Sequence, residues 1–504
     1  MKKIFLGGIS LLFSFLWATA QPGPEAPPDT MEMRILQPAA MQQDFSYLRK
    51  TLEETCPMLY KRHSREEMEH IMDSLYGLLD KPMPFFDFYK TIAHLISEVK
   101  CEHSYCNPYR NLKKHLLQWK VLPIQIEFNN QKAYMAVNRS ADTSVHFGDE
   151  VLSINHYPID SIKKVLYEYM PSDGDMVTSK DKMLSNLLFN VDYYLFIERP
   201  DAFDITFKDS SGRVFTRHFN TGLGFAESNK LALANPVNQE VLAMSARFQK
   251  VGSVRQQLEL LKDQDVAIIS IPDFGDDKRK LFKRFSGYFT KIAQAGVGNL
   301  IIDLSQNGGG DEEIPCELLS YLIDTPTRFM DNEYLIDTSM TYLRMSNLPK
   351  DILANPAAFI DTIRDGKIYA KPLTKYTMEL RTFDPKPNRF HGKVYFYVSG
   401  ITSSAASTCA ANAQSHHLAT IVGEETAGSF AGGGSTDGIN LVLPNSKITT
   451  HTSIVYCTFA TSGGDKDRGV IPDIHYEPTL TDYRNGNVSW QYFIYGLIKG
   501  QKQP

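Results

Sequence analysis

The chain has 504 residues, 42% hydrophobic and 22% charged, with a net charge of −5. At about 100–200 residues per domain, this length predicts two to four domains. The composition is that of an ordinary globular protein. The mild acidic excess, without a long basic run, argues against a nucleic-acid partner.

Residues 1–20, MKKIFLGGISLLFSFLWATA, place two lysines ahead of an apolar run that ends in small residues before Gln21. This is the pattern of a secretory signal peptide cut after Ala20. The apolar run falls short of the roughly 20 residues that a membrane-spanning helix needs. Residues 21–30 read as a flexible leader. The expectation is a protein exported to the periplasm or beyond, without a transmembrane segment after cleavage. Six cysteines (Cys56, Cys101, Cys106, Cys316, Cys409 and Cys457) are free to pair in that compartment, but spacing alone does not fix a pairing. Cys101 and Cys106, in CEHSYC, lack the second ligand pair of a zinc site, and no metal is expected.

Residues 31–115 read as helical. Leu, Tyr and Met recur every three to four residues from Asp44 to Leu79, and Ser64 with Glu67 makes a capping box. A second amphipathic stretch, FFDFYKTIAHLISEV, ends in the loop KCEHSYCNP. Residues 116–220 change period: VLPIQIEF, KAYMAVNR and FDITFKD alternate as strands do. Between them FGDEVLSINHYPIDSIKKVL reads as turn, strand, turn and helix. Residues 221–260 are a weakly patterned connector. From residue 261 onward, apolar runs (DVAIISI, GNLIIDLS, GKVYFYVS, ATIVGEE) alternate with helical patterns, one of them closed by Gly296. Continuous apolar strands between helices predict an α/β core with a largely parallel sheet.

Two stretches of this core carry chemistry. NLIIDLSQNGGGDEE runs a buried strand into Gly308, Gly309 and Gly310. Glycines there let backbone N–H groups approach a ligand and favour an oxyanion. The Gly-x4-Gly-Lys-Ser/Thr pattern of a nucleotide loop is missing. The second stretch, YVSGITSSAASTCAANAQ, sets serines at a strand-to-helix junction. The positive end of the helix dipole favours negative charge developing on a substrate at that place. Locally, Ser403 or Ser404 serves equally well as a helix N-cap.

Taken together, the segments resemble the S41 serine peptidases, the carboxy-terminal-processing and tricorn-like family. LIIDLSQNGGG resembles that family's strand ending in Asp-Leu-Arg-x-Asn-x-Gly-Gly. TSSAASTCAANAQSHHLATIVGEETAGS resembles its nucleophile helix and the following Val-Gly-Glu-x-Thr-x-Gly. RGVIPDIHYEP resembles its closing Gly-Val-x-Pro-Asp-Ile strand. The region 116–220 is similar to the Gly-Asp-x-Ile-Leu-x-Ile-Asn-Gly stretch of PDZ domains, although no glycine-rich carboxylate-binding loop is evident. The resemblance implies a ClpP/crotonase-like α/β core at 261–504, behind an N-terminal helical domain and a small β-rich PDZ-like domain.

The resemblance places the nucleophile on Ser404, with Ser403 and Ser407 as competitors. It places the oxyanion donors on the N–H groups of Ala405 and of Gly308 or Gly309. Members with a Ser/Lys dyad carry their lysine where this chain has Ser429, so the base must come from elsewhere. His103 matches the loop histidine of the tricorn-like branch, although Glu102 replaces its usual small neighbour. Histidine suits a general base because its pKa lies near neutrality. The orienting carboxylate is expected just before the closing strand, at Asp467 or, second, at Asp465. Asp473 and Asp303 are expected to be structural.

The implied function is an exported serine endopeptidase acting on polypeptides without a cofactor, its PDZ-like module binding peptide termini. A catalytically inactive peptide- or ligand-binding protein is the main alternative, motivated by the missing lysine and by Glu102. An esterase or amidase using the same triad is another.

Overall fold

The computed structural model describes residues 34–109, 119–185, 188–220, 224–242, 257–336, 340–480, 482 and 489–500. The expected signal peptide and leader lie outside the described residues. Three helices, Pro38–Thr55, Arg65–Gly77 and Phe85–Glu98, form the N-terminal part. The capping box forms: the Ser64 hydroxyl accepts from the Glu67 N–H at 3.2 Å, and the Ser64 N–H donates to the Glu67 carboxylate at 2.7 Å. Phe45, Leu48, Phe88 and Ile92 turn inward from these helices into the main core.

Residues 124–220 build an antiparallel sheet. Its strands Ile124–Asn129, Lys132–Asn138, Glu150–Ile154, Ala202–Lys208 and Val214–Asn220 are neighbours in that order. Alternating burial along the first two strands shows that one face packs against the core, as their period of two requires. Helices Ile159–Tyr167 and Val177–Leu184 belong to this module. The second is tied to the core by a buried ion pair, Lys182 Nζ to Glu424 at 3.0 Å. The expected connector is partly regular: it holds the helix Phe225–Ala234 and, at its end, the edge strand Gln257–Leu261.

The core sheet runs Gln257–Leu261, Val266–Ser270, Asn299–Asp303, Lys393–Val398, Thr420–Gly423, Ile474–His475. The edge strand Gln257–Leu261 is antiparallel to its neighbour and all the others are parallel. The parallel strands are apolar on both faces because both faces are covered. Ala267, Ile269, Leu300, Ile302 and Phe396 join the main core. Val266, Ile268, Ile301, Tyr397 and Val422 pack with Trp490 and Ile494 of the last helix, Ser489–Ile498. Helix Lys278–Ala295 ends on Gly296 at φ 68°, a left-handed cap that glycine adopts at little cost.

Two further antiparallel sheets flank the core. One joins Ile360–Arg364, Lys367–Ala370, Met330–Leu335, Tyr456–Phe459 and Gly432–Gly434. The other joins Gly438–Val442, Thr449–Ser453 and Tyr105–Asn107. This second sheet pins the loop after the N-terminal helices onto the α/β core, with His451 opposite Tyr105 and Thr450 opposite Cys106. All six cysteines are free thiols. Among the described residues no helix is long and apolar enough to cross a membrane.

Candidate active site

Ser404 closes the turn between strand Lys393–Val398 and helix Ala405–Ser415, with φ 51° and ψ −130°. An L-residue at positive φ is strained by about 1–3 kcal/mol and needs neighbours that hold it there. They are present. The Ser404 N–H donates to Glu102 Oε1 at 3.0 Å, and the Ser404 carbonyl accepts from the Thr408 N–H at 3.0 Å. The competing serines are tied up. Ser403 Oγ donates to the Gly308 carbonyl at 3.1 Å. Ser407 Oγ donates to the Thr402 carbonyl and accepts from the Gly428 N–H.

The strand Tyr105–Asn107 delivers the histidine. His103 Nε2 lies 3.2 Å from Ser404 Oγ, across 301 residues of sequence. The ring is buried, and burial holds its pKa below the ordinary value, while the charge of Asp173 opposes that shift. A neutral imidazole is the form that accepts a proton.

Asp173 is the residue that sequence reasoning missed. It lies before helix Val177–Leu184, in the Ser-Asp-Gly-Asp turn of the antiparallel module. Its carboxylate accepts from the Glu102 N–H at 2.9 Å and the Ser429 N–H at 3.3 Å. Burial, then the neighbouring Glu102, pushes it up to about 7. Glu102 is a second carboxyl of the site, with Oε1 at 3.5 Å from His103 Nε2 and its pKa raised by burial to about 7.

Asp467 and Asp465 do not reach the histidine. Asp467 is exposed and pairs with Arg62, which also reaches the Lys466 carbonyl at 2.7 Å and Ser429 Oγ at 3.1 Å. Asp465 is exposed and accepts the Asp467 N–H at 2.9 Å. Two anchors hold this turn: Arg62 from the helical part, and Arg468, which grips Glu425 with both arms at 2.7 and 2.6 Å. Ser429 is buried between Asp173 and Arg62, so the position of the dyad lysine is filled by a hydroxyl donating to the Lys466 carbonyl. Asp473 bonds Gln414 and the Ile421 N–H, and Asp303 accepts from Ser305. Both have the bracing contacts of structural residues.

The glycine loop crosses directly over Ser404. Gly309 has φ 99°, and a Cβ there would sit 2.6 Å from Ser404 Cβ. The Gly309 N–H is already used, donating to Asn307 Oδ1 at 2.8 Å, so it is not the free donor that its motif suggested. Among the described residues the N–H groups of Gly308 and Ala405 meet no acceptor. The second is one of the orphan donors at a helix start.

This geometry, a strained serine against a buried neutral histidine beside unpaired backbone donors, is that of a nucleophilic hydrolase. Residues 265–476 match the model of peptidase family S41. By structure the chain is similar to mature CPAF complexed with lactacystin, at 15% identity and a TM-score of 0.61, over 92% of this chain and 98% of that one. Mature CPAF alone gives 15% and 0.60, over 92% and 99%. The photosystem II D1 C-terminal processing protease gives 13% and 0.39, over 87% and 93%. No curated protein matches the chain by sequence. The class is therefore that of a serine-type peptidase. Its core, residues 265–476, is similar to peptidase family S41.

Proposed function

We propose that the chain is an exported endopeptidase that cleaves polypeptides with Ser404 as nucleophile and His103 as general base. The reading is supported above all by the 3.2 Å approach of His103 Nε2 to Ser404 Oγ at a strained strand-to-helix turn. His103 takes the hydroxyl proton as Ser404 Oγ bonds to the peptide carbonyl carbon. The N–H groups of Gly308 and Ala405 receive the oxyanion. The charges of Asp173 and Glu102 stabilise the imidazolium, as a triad carboxylate does. His103 then gives its proton to the leaving amine, and a water repeats the sequence on the acyl-enzyme. No step calls for a cofactor.

Export rests on the signal-peptide pattern of residues 1–20. In the same reading the core is ClpP/crotonase-like, and the module at 124–220 is PDZ-like and binds peptide termini by strand addition. The test is cleavage of an unfolded protein and of a mixed peptide pool by the purified chain. Ser404→Ala and His103→Ala are each expected to lower kcat/KM by about 10⁴-fold or more while the fold is kept. A parent inert toward every substrate and toward serine-directed phosphonates would replace this reading with that of a binding protein.

A further inference from the structure

Ser404 stands at the N-cap of helix Ala405–Ser415, yet its side chain does not cap it. An N-cap serine ordinarily has an extended backbone, and its hydroxyl accepts from an N–H of the first turn. At φ 51° and ψ −130° the Ser404 hydroxyl makes no cap bond and is left facing His103 Nε2. In a capping box, a glutamate three residues on reaches back to the N-cap N–H. That position here is Ser407, whose hydroxyl is taken by the Thr402 carbonyl and the Gly428 N–H. The Ser404 N–H is satisfied from outside the helix instead, by Glu102 Oε1 at 3.0 Å, 302 residues away in sequence. The surrounding chain is close: a Cβ on Gly428 would lie 3.0 Å from the Ser404 nitrogen.

Glu102 is itself firmly placed. The Cys101 carbonyl accepts from the Ser104 N–H at 3.0 Å, which makes Glu102 and His103 the two central residues of one tight turn. The Glu102 N–H donates to Asp173 at 2.9 Å, and the paired strand Tyr105–Asn107 anchors the far side of the turn. Glu102 Oε1 is 3.5 Å from His103 Nε2, so the Ser404 N–H is its nearer partner. That contact survives either charge state. Burial raises the Glu102 pKa to about 7, and a protonated carboxyl keeps a carbonyl oxygen that accepts.

We propose that Glu102 is a positioning residue for the nucleophile: it acts as a capping-box glutamate supplied from another segment, and holds Ser404 in the strained turn that leaves its hydroxyl uncapped and aimed at His103. The proposal rests on the peptidase reading above. It gives Glu102 a role that a small neighbour of the histidine cannot fill, because only a long side chain reaches the Ser404 N–H. One tight turn then brings both the base and the residue that sets the nucleophile.

Two conservative variants separate reach from charge. Glu102→Gln keeps the length and an acceptor oxygen but carries no charge. Glu102→Asp keeps the carboxylate but is one methylene short of the Ser404 N–H. In peptide kinetics normalised to active sites titrated with a serine-directed phosphonate, Glu102→Asp is expected to lose about 100-fold in kcat with KM within about threefold, as for reacting atoms displaced by about 1 Å. Glu102→Gln is expected to recover at least about tenfold of that loss. Hydrogen exchange at the Ser404 amide, read by mass spectrometry with fragmentation, follows the contact directly. Its protection is expected to stay near the parent's in Glu102→Gln and to fall at least about tenfold in Glu102→Asp. Equal kinetics in the two variants, or a faster Glu102→Asp, overturns the proposal and leaves Glu102 only its charge. So does a loss carried by KM instead of kcat, or Ser404 protection in Glu102→Asp equal to the parent's. A parent inert toward peptides, with Ser404 protection still following reach, overturns the peptidase reading and leaves the backbone clamp standing.

Discussion

In the proposed mechanism His103 works only when neutral, and burial keeps it so below the ordinary histidine range. Asp173 pulls the other way, because its negative charge favours the imidazolium. Asp173→Asn removes that charge but keeps one acceptor for the Glu102 N–H. It is expected to lower kcat/KM by about 100-fold or more and to shift the acid limb of the pH–rate profile to lower pH. Asp467→Asn, on the exposed turn held by Arg62, is expected to stay within about threefold of the parent and leave the profile unmoved. The reverse ranking would return the orienting role to the turn before the closing strand. The geometry also explains why sequence pointed to a carboxylate that does not lie beside His103. Asp467 stands next to a readable motif, and nothing in the chain announces that it pairs with Arg62, 405 residues earlier. Asp173 stands in an unremarkable turn and acquires its role only through the packing of one module on another.

The local elements were legible because their signals are local. The capping box at Ser64, the left-handed stop at Gly296, and the apolar strands Val266–Ser270 and Asn299–Asp303 each follow from a few adjacent side chains. The sheet that includes Met330–Leu335 and Tyr456–Phe459 was not legible, since its partners lie more than 120 residues apart and neither strand is strongly patterned. The pairing of Tyr105–Asn107 with Thr449–Ser453 was hidden for the same reason, yet it carries His103 to the serine. Thr449–Ser453 is the middle strand of three, where a proline can neither donate to the ladder nor fit its pleat. Thr450→Pro is expected to lower stability by about 3 kcal/mol and kcat/KM by at least about 100-fold. Thr450→Val, with its β-branched shape kept, is expected to retain both. Calorimetry beside peptide kinetics reads the two effects separately.

Among the described residues several carboxyls are buried with raised pKa. Asp192 and Glu312 are pushed to about 8, and Glu102, Glu127 and Asp173 to about 7, in each case chiefly by burial. Their unfolded values lie near 4, so between about pH 4 and 8 the folded chain binds more protons than the unfolded one. By themselves these groups make stability fall as pH rises through that window. The buried histidines His103 and His451 act in the opposite sense, but only below about 6.5, where the unfolded chain still charges them. From pH 6.5 to 8 the carboxyls act without that opposition, and the melting temperature is expected to drop steadily across it. A flat or rising profile would mean that these groups find cationic partners in solution.

The strand that carries His103 pairs with one that begins 342 residues later. During synthesis the proposed general base therefore leaves the ribosome before the strand that holds it in place. Its docking partner follows only after Ser404 itself has emerged. In the proposed mechanism a partly made chain holds a nucleophile turn with no base, and cleavage is withheld until Thr449–Ser453 has been made. Order of translation thus gives this molecule a built-in delay, written into its topology.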